Sequence, residues 1–340
     1  MKLVWKIVAA SALLWACAPA EPARPDAQAE GPRQTGTPNP QDLAPLPAGA
    51  PSDVVTPEIA AKQSPTFETY WYRGAAELSR YKLDQQRYGE VHPGEAVLVF
   101  VSEDFLRDKQ VKHEHGPRDQ AVPILKLNAY RRFYTGVYPY TMMTSVFDPV
   151  ANPAEPPLKL SASSQEWCGA TWTQLNHRGQ QWQARSFSYF QDEADTDEAI
   201  PTALVEDGVW TQLRRDPASL PQGELQMIPA LHYLRLAHQE LKAYPATATV
   251  DRVERGAWGQ TPAKVWRVAY PDLRRELTVY YEESFPYGVL AWEETYPGGF
   301  SPDTPLLTTR GVRTSAILLD YWSRHNLADG VWREVLGLEY

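Results

Sequence analysis

Cys17 and Cys168 are the two thiols of this chain, and their surroundings point to different chemistry. Cys17 closes the run Leu14-Trp15-Ala16-Cys17, behind an apolar stretch from Ile7 to Ala16 and a positive start carrying Lys2 and Lys6. A basic start, a short apolar run and a small residue directly before a cysteine mark a bacterial lipoprotein signal, cleaved so that the Cys17 thiol is acylated. The run falls short of the ~20 residues that span a bilayer. Cys168 sits in Glu166-Trp167-Cys168-Gly169. A catalytic thiol needs a base, and His177 follows on the same expected hairpin. A small sulfur beside an aromatic residue also suits core packing, which is the role expected of it.

His113-Glu114-His115 would place two histidines on one side of an extended segment, serviceable for zinc. No third ligand is recognisable, and the charged flanks read as a solvated loop. Carboxylates alternate through 192–198, but without the glycine and distant glutamate of a calcium loop. No phosphate-binding loop, nucleophile elbow or zinc-protease helix occurs. Neither a metal nor a cofactor is therefore expected, and no residue is assigned a catalytic role. The aromatic side chains offer a different chemistry. Trp167, Trp172, Trp182, Trp266 and Trp292, with Trp258, could line an apolar ligand cavity in a curved sheet, as lipocalins and periplasmic lipoprotein carriers hold ligands. The same rings could instead fill the core of any sizeable β domain.

These residues fall in a chain of three parts. Residues 1–16 form the expected signal, and 17–65 a lipidated cysteine followed by a Pro-rich tether. Eleven prolines and no aromatic residue occur between Ala18 and Pro65, too little apolar surface to offset ordering entropy. Residues 66–340 form one globular domain that holds all 18 tyrosines. After loss of Lys2 and Lys6, 31 basic side chains face 42 acidic ones, a balance that argues against nucleic acid and against adsorption to anionic lipid. One cysteine remains in the domain, so no intrachain disulfide can staple it.

Strand patterns dominate 66–340. The apolar run 95–101 suits a buried strand, paired with 76–83 through a turn between Tyr88 and Gly94. Residues 171–175 and 181–189 flank Asn176-His177-Arg178-Gly179 as a hairpin. A meander runs through 247–255, 263–270, 276–283 and 289–295. Leucine spacing predicts one helix over 223–244, and a second over 329–336 with Gly337 as its C-cap. The expected fold is mainly β: an antiparallel curved sheet or incomplete barrel with one or two packed helices.

Tyr70-Trp71-Tyr72-Arg73-Gly74, Arg87-Tyr88-Gly89-Glu90, the stretch from Gly94 to Phe105, Glu166-Trp167-Cys168-Gly169, residues 142–147 and Asp320-Tyr321-Trp322 carry a resemblance. They resemble a family of bacterial envelope lipoproteins whose members often bear the label "septum formation inhibitor Maf". The Ser-x-Ser-Pro-Arg-Arg signature of the Maf nucleotide pyrophosphatases does not occur. The resemblance implies an envelope location, lipid-anchored at the outer membrane and facing the periplasm, and no established activity. The expected role is a non-enzymatic binding or envelope-assembly module, for an apolar or other envelope ligand. The alternatives are a periplasmic hydrolase using Cys168 or a His113/His115 metal site, and a purely structural lipoprotein.

Overall fold

The computed structural model describes residues 51, 54–63, 66–299 and 304–338. The signal, Cys17 and most of the tether lie outside the described residues. Structured elements nevertheless occur before residue 66. Val55 bridges Leu318, and helix α1 (Pro57–Gln63) buries Ala60 completely. Helix α2 (Phe67–Trp71) follows, its first turn capped by the Thr66 hydroxyl, which accepts from the Thr69 N–H at 3.3 Å.

Strands β1 (Ala76–Arg87), β2 (Glu90–Leu106), β3 (Val111–Lys112), β4 (Ala121–Thr135), β5 (Tyr138–Pro149), β6 (Lys159–Glu166), β7 (Gly169–Arg178), β8 (Gln181–Ser188) and β9 (Thr196–Pro201) form an antiparallel meander, with β3 a short flap on β2. After β10 (Leu204–Val205) and helix α3 (Glu206–Arg215) a second series begins. It comprises β11 (Gly223–Ile228), helix α4 (Leu231–Ala237), β12 (Tyr244–Val253), β13 (Ala263–Tyr270), β14 (Arg275–Glu282), β15 (Val289–Pro297) and β16 (Leu306–Leu319). Strand β16 pairs with β1, so the two series join in mid-sheet, and β9 and β10 become the two edges. Only Thr202 and Ala203 separate those edges in sequence. The sheet therefore curls round until its edges meet without pairing, an incomplete barrel with a seam.

Period-two alternation sets the inner face. Tyr81 and Leu83, Leu98 and Phe100, Leu125 and Leu127, Trp266 and Val268, and Leu277 and Val279 all belong to one continuous core. The β1–β2 turn is tighter than expected. Tyr88 and Gly89 both have positive φ (54° and 81°), the backbone of a two-residue hairpin, while His92-Pro93-Gly94 lie within β2. At Gly311 the ring of Trp292 from the neighbouring strand lies flat over the backbone, where an added Cβ would sit 2.3 Å from it. Helix α5 (Val331–Leu336), ended by Gly337 at φ 73°, covers Leu78, Val101 and Ile317 on the outer face.

The helix expected over 223–244 is not formed. Its first third is β11, paired with β12, because Leu225 and Met227 alternate and Pro229 cannot continue a helix. Only the seven residues of α4 are helical. The principal helix is α3, which threads the interior with Val209, Trp210 and Leu213 in the core.

Candidate functional site

Helix α3 carries Glu206 and Asp207 in its first turn and Arg214 and Arg215 in its last, the arrangement that complements a helix dipole. Each of the four reaches a different wall. Glu206 accepts two hydrogen bonds from Arg275 of β14, both at 2.6 Å, and one from Tyr270 Oη at 2.7 Å. Asp207 caps α4, accepting from the Leu231 N–H at 2.8 Å. Arg214 grips both oxygens of Glu77 on β1 at 2.7 and 2.6 Å, and Tyr70 donates to the same carboxylate at 2.5 Å. Arg215 pairs with Asp148 at the end of β5, at 3.1 Å. These contacts tie the helix to β14, α4, β1 and β5.

A second layer surrounds Arg275. Glu294 accepts from Arg275 at 2.7 Å, lies 3.3 Å from His232 Nε2 and 3.7 Å from Arg131. Burial opposes the Glu294 charge, but Arg275, His232 and Arg131 outweigh it and hold the carboxyl well below its usual range. Burial, aided by Arg131, depresses His232 below its usual range. Burial pushes Asp207 up to about 7. Two arginines, Arg275 and Arg131, therefore face the two carboxylates Glu206 and Glu294 in near balance, as a buried network requires. A small cavity of about 20 Å³ beside Arg131, Asp207 and His232 is large enough for one water-sized group.

Two larger clefts open at opposite ends of the barrel. One, about 470 Å³, lies among the β1–β2 and β13–β14 turns and the end of α4, floored by Arg87, Tyr233 and Tyr296. The Tyr296 hydroxyl there has no hydrogen-bond partner. The other, about 570 Å³, lies at the seam. Pro153, Pro156 and Pro157 of the β5–β6 loop form one wall, and Leu204, Val205, Val209 and Met227 the other. Trp182 Nε1 donates to the Ala203 carbonyl at 3.1 Å, and Trp266 Nε1 to the Pro221 carbonyl at 3.0 Å, which pins both margins. The floor is the Asp148–Arg215 pair. Asp148 Oδ2 accepts from Thr211 at 2.7 Å, and Arg215 Nη1 donates to the Pro149 carbonyl. Asp148 Oδ1 and Arg215 Nε remain without hydrogen-bond partners. Burial pushes the Asp148 carboxyl up to about 7. A mainly apolar cleft with a few polar groups among its lining residues has the composition of a small-molecule site.

The five tryptophans suggested by sequence are not brought together. Trp182, Trp266 and Trp292 are fully buried, packed against α3 and its neighbours, with Trp210 edge-on to Trp292 at 5.6 Å. The lumen they were expected to line is occupied by α3 and α4. Trp167 and Trp172 are on the outside. Cys168 is not core either: it lies part-exposed in the β6–β7 turn, its N–H donating to Glu166 at 2.6 Å. His177 is at the far end of β7, about 30 Å away at 3.3 Å per residue, and contacts Trp182 and Thr202 instead. His113 and His115 follow β3 in an outer loop. Among the described residues no group of three or more His, Cys, Asp and Glu side chains is placed to hold a metal. In the acidic run, Glu193 bonds His238, Asp195 accepts from the Ser188 N–H and Asp197 bonds Arg185.

Sequence reasoning missed α3 and its ion pairs. Its signal was present: Glu-Asp at one end and Arg-Arg eight residues on, around Val209, Trp210 and Leu213. No helix among the described residues is long and apolar enough to cross a membrane. Comparison with protein-family models, with curated proteins and with solved structures gives no match.

Proposed function

We propose that this protein is a lipid-anchored envelope module, held at the outer membrane through Cys17, that binds an apolar ligand in the cleft at the barrel seam. The observation that carries the reading is a cleft of about 570 Å³ walled by Pro153, Pro156, Pro157, Leu204, Val205, Val209 and Met227, with the Asp148–Arg215 pair among its lining residues. The cleft volume lies in the ~300–1,000 Å³ range of small-molecule sites. The lumen is filled, so the ligand reading rests on the seam and not on a hollow barrel.

Mass spectrometry of the full chain purified from native membranes tests this. A lipid-soluble compound should co-purify at near-stoichiometric level. The double variant Ala154→Trp/Gln226→Trp, which fills the cleft from two exposed lining positions, should lose it while melting normally. Equal recovery from both proteins would refute the site. Cys17→Ser should release the chain from the membrane fraction, and unchanged fractionation would refute the anchor separately.

A further inference from the structure

The hairpin turns at the two ends of the barrel differ. At the end opposite the seam cleft, the four turns of the first meander each carry an exposed large hydrophobic residue. These are Tyr88 (46 % exposed), Val137 (77 %), Trp167 (71 %) and Tyr189 (77 %). None of the hairpin turns at the other end, 107–110, 150–158, 179–180, 254–262 and 283–288, carries one. The apolar surface continues down the outer wall. Met143, Ser163, Trp172 and Phe187 are successive cross-strand partners, and three of the four are exposed large hydrophobics. Val111, Leu204, Trp322 and Leu327 are exposed elsewhere, and isolated exposed hydrophobics are ordinary; four at the tips of neighbouring turns, continued into the wall beneath them, are not.

We propose that this rim inserts into the interface of a zwitterionic bilayer. Three of the turns, Tyr88-Gly89, Gly136-Val137 and Trp167-Cys168, contain no charged residue, so their tips can leave water without stranding an ion. Trp and Tyr are the residues whose rings settle at the headgroup level. Tyr138 stacks on Trp167 with centroids 6.1 Å apart and presents the indole outward. The fourth turn carries Asp192, Glu193 and Asp195 beside Tyr189, which disfavours an anionic surface. Separate apolar points suit a soft medium better than the flat complementary face of a protein partner. The chain outside the structure supplies the reach. Cys17 lies 37 residues before Val54, a contour of roughly 120 Å at most, enough for either end of the barrel to meet the membrane. Only this last argument rests on the anchor.

The test uses the mature chain from position 17 carrying Cys17→Ser, so that neither lipid nor the apolar signal contributes, and phosphatidylcholine/phosphatidylethanolamine vesicles. The parent should float with the vesicles, and ~0.5 M salt should not release it, because screening acts on charges and not on rings. Val137→Ser/Trp167→Ser/Tyr189→Ser should weaken binding about ten-fold or more, with an unchanged melting temperature. A parent that does not float, or a triple variant that floats equally, overturns the proposal. So does a parent that self-associates by sedimentation without floating and becomes monomeric in the triple variant, which would make the rim a protein contact. A failed anchor would instead show in the fractionation of the unmodified Cys17 chain.

Discussion

Replacing Arg275 with leucine probes the ion network most severely. Its guanidinium is fully buried and makes four hydrogen bonds, two to Glu206 and two to Glu294. In Arg275→Leu, Glu206 keeps only Tyr270, and Glu294 keeps His232 and the more distant Arg131. Stranding a buried carboxylate costs about 3–5 kcal/mol. At about 2–4 °C per kcal/mol for a domain of this size, the melting temperature should fall by roughly 10 °C. Removing Glu206 as well restores the charge balance, so Glu206→Leu/Arg275→Leu should recover at least half the loss. Calorimetry and urea unfolding of the three proteins measure this. A single-variant cost under about 1 kcal/mol, or a double variant no more stable than the single one, would refute the network's role in fixing α3.

Asp148 supplies a pH-dependent prediction within the cleft. Its folded carboxyl sits near 7 against an ordinary 3.8, so its stability contribution is complete below about pH 4 and is lost as pH rises through 7. Asp148→Asn removes that titration, so the melting temperature of the variant relative to the parent should climb from pH 5 to 8 in thermal scans; a constant difference would exclude the shift. Gly311→Ala drives a methyl into the Trp292 ring and should cost about 1–3 kcal/mol in urea unfolding. Cys168→Ala, in a part-exposed turn, should change stability by no more than about 0.5 kcal/mol, and a larger loss would show that the turn packs more tightly than described.

The strands were legible because half-buried strands write their burial into a period of two, as in β13 and β14. Pro229 and the alternation at Leu225 and Met227 were equally visible, but Leu225, Ile228, Leu231 and Leu234 fit a helix well enough to mask them. The polar core was hidden for a different reason. Glu206, Arg214 and Arg215 look like surface charges, and what buries them is pairing with Arg275, Glu77 and Asp148, each more than 60 residues away. Faces were hidden too. Trp172 and Trp182 belong to one hairpin with similar neighbours, and only sheet curvature decides that Trp182 points in and Trp172 out. The seam cleft depends on the meeting of two edges, a global property that no local pattern records.

Photo-crosslinking tests the binding site most directly. The full chain is incubated with a diazirine-bearing fatty acid, irradiated and digested. Labelled peptides should come from 153–157 and 202–209 and around Met227, and the Ala154→Trp/Gln226→Trp variant should lose them. Labelling confined to the Val137, Trp167 and Tyr189 turns, or labelling unchanged in the filled variant, would contradict a ligand site at the seam.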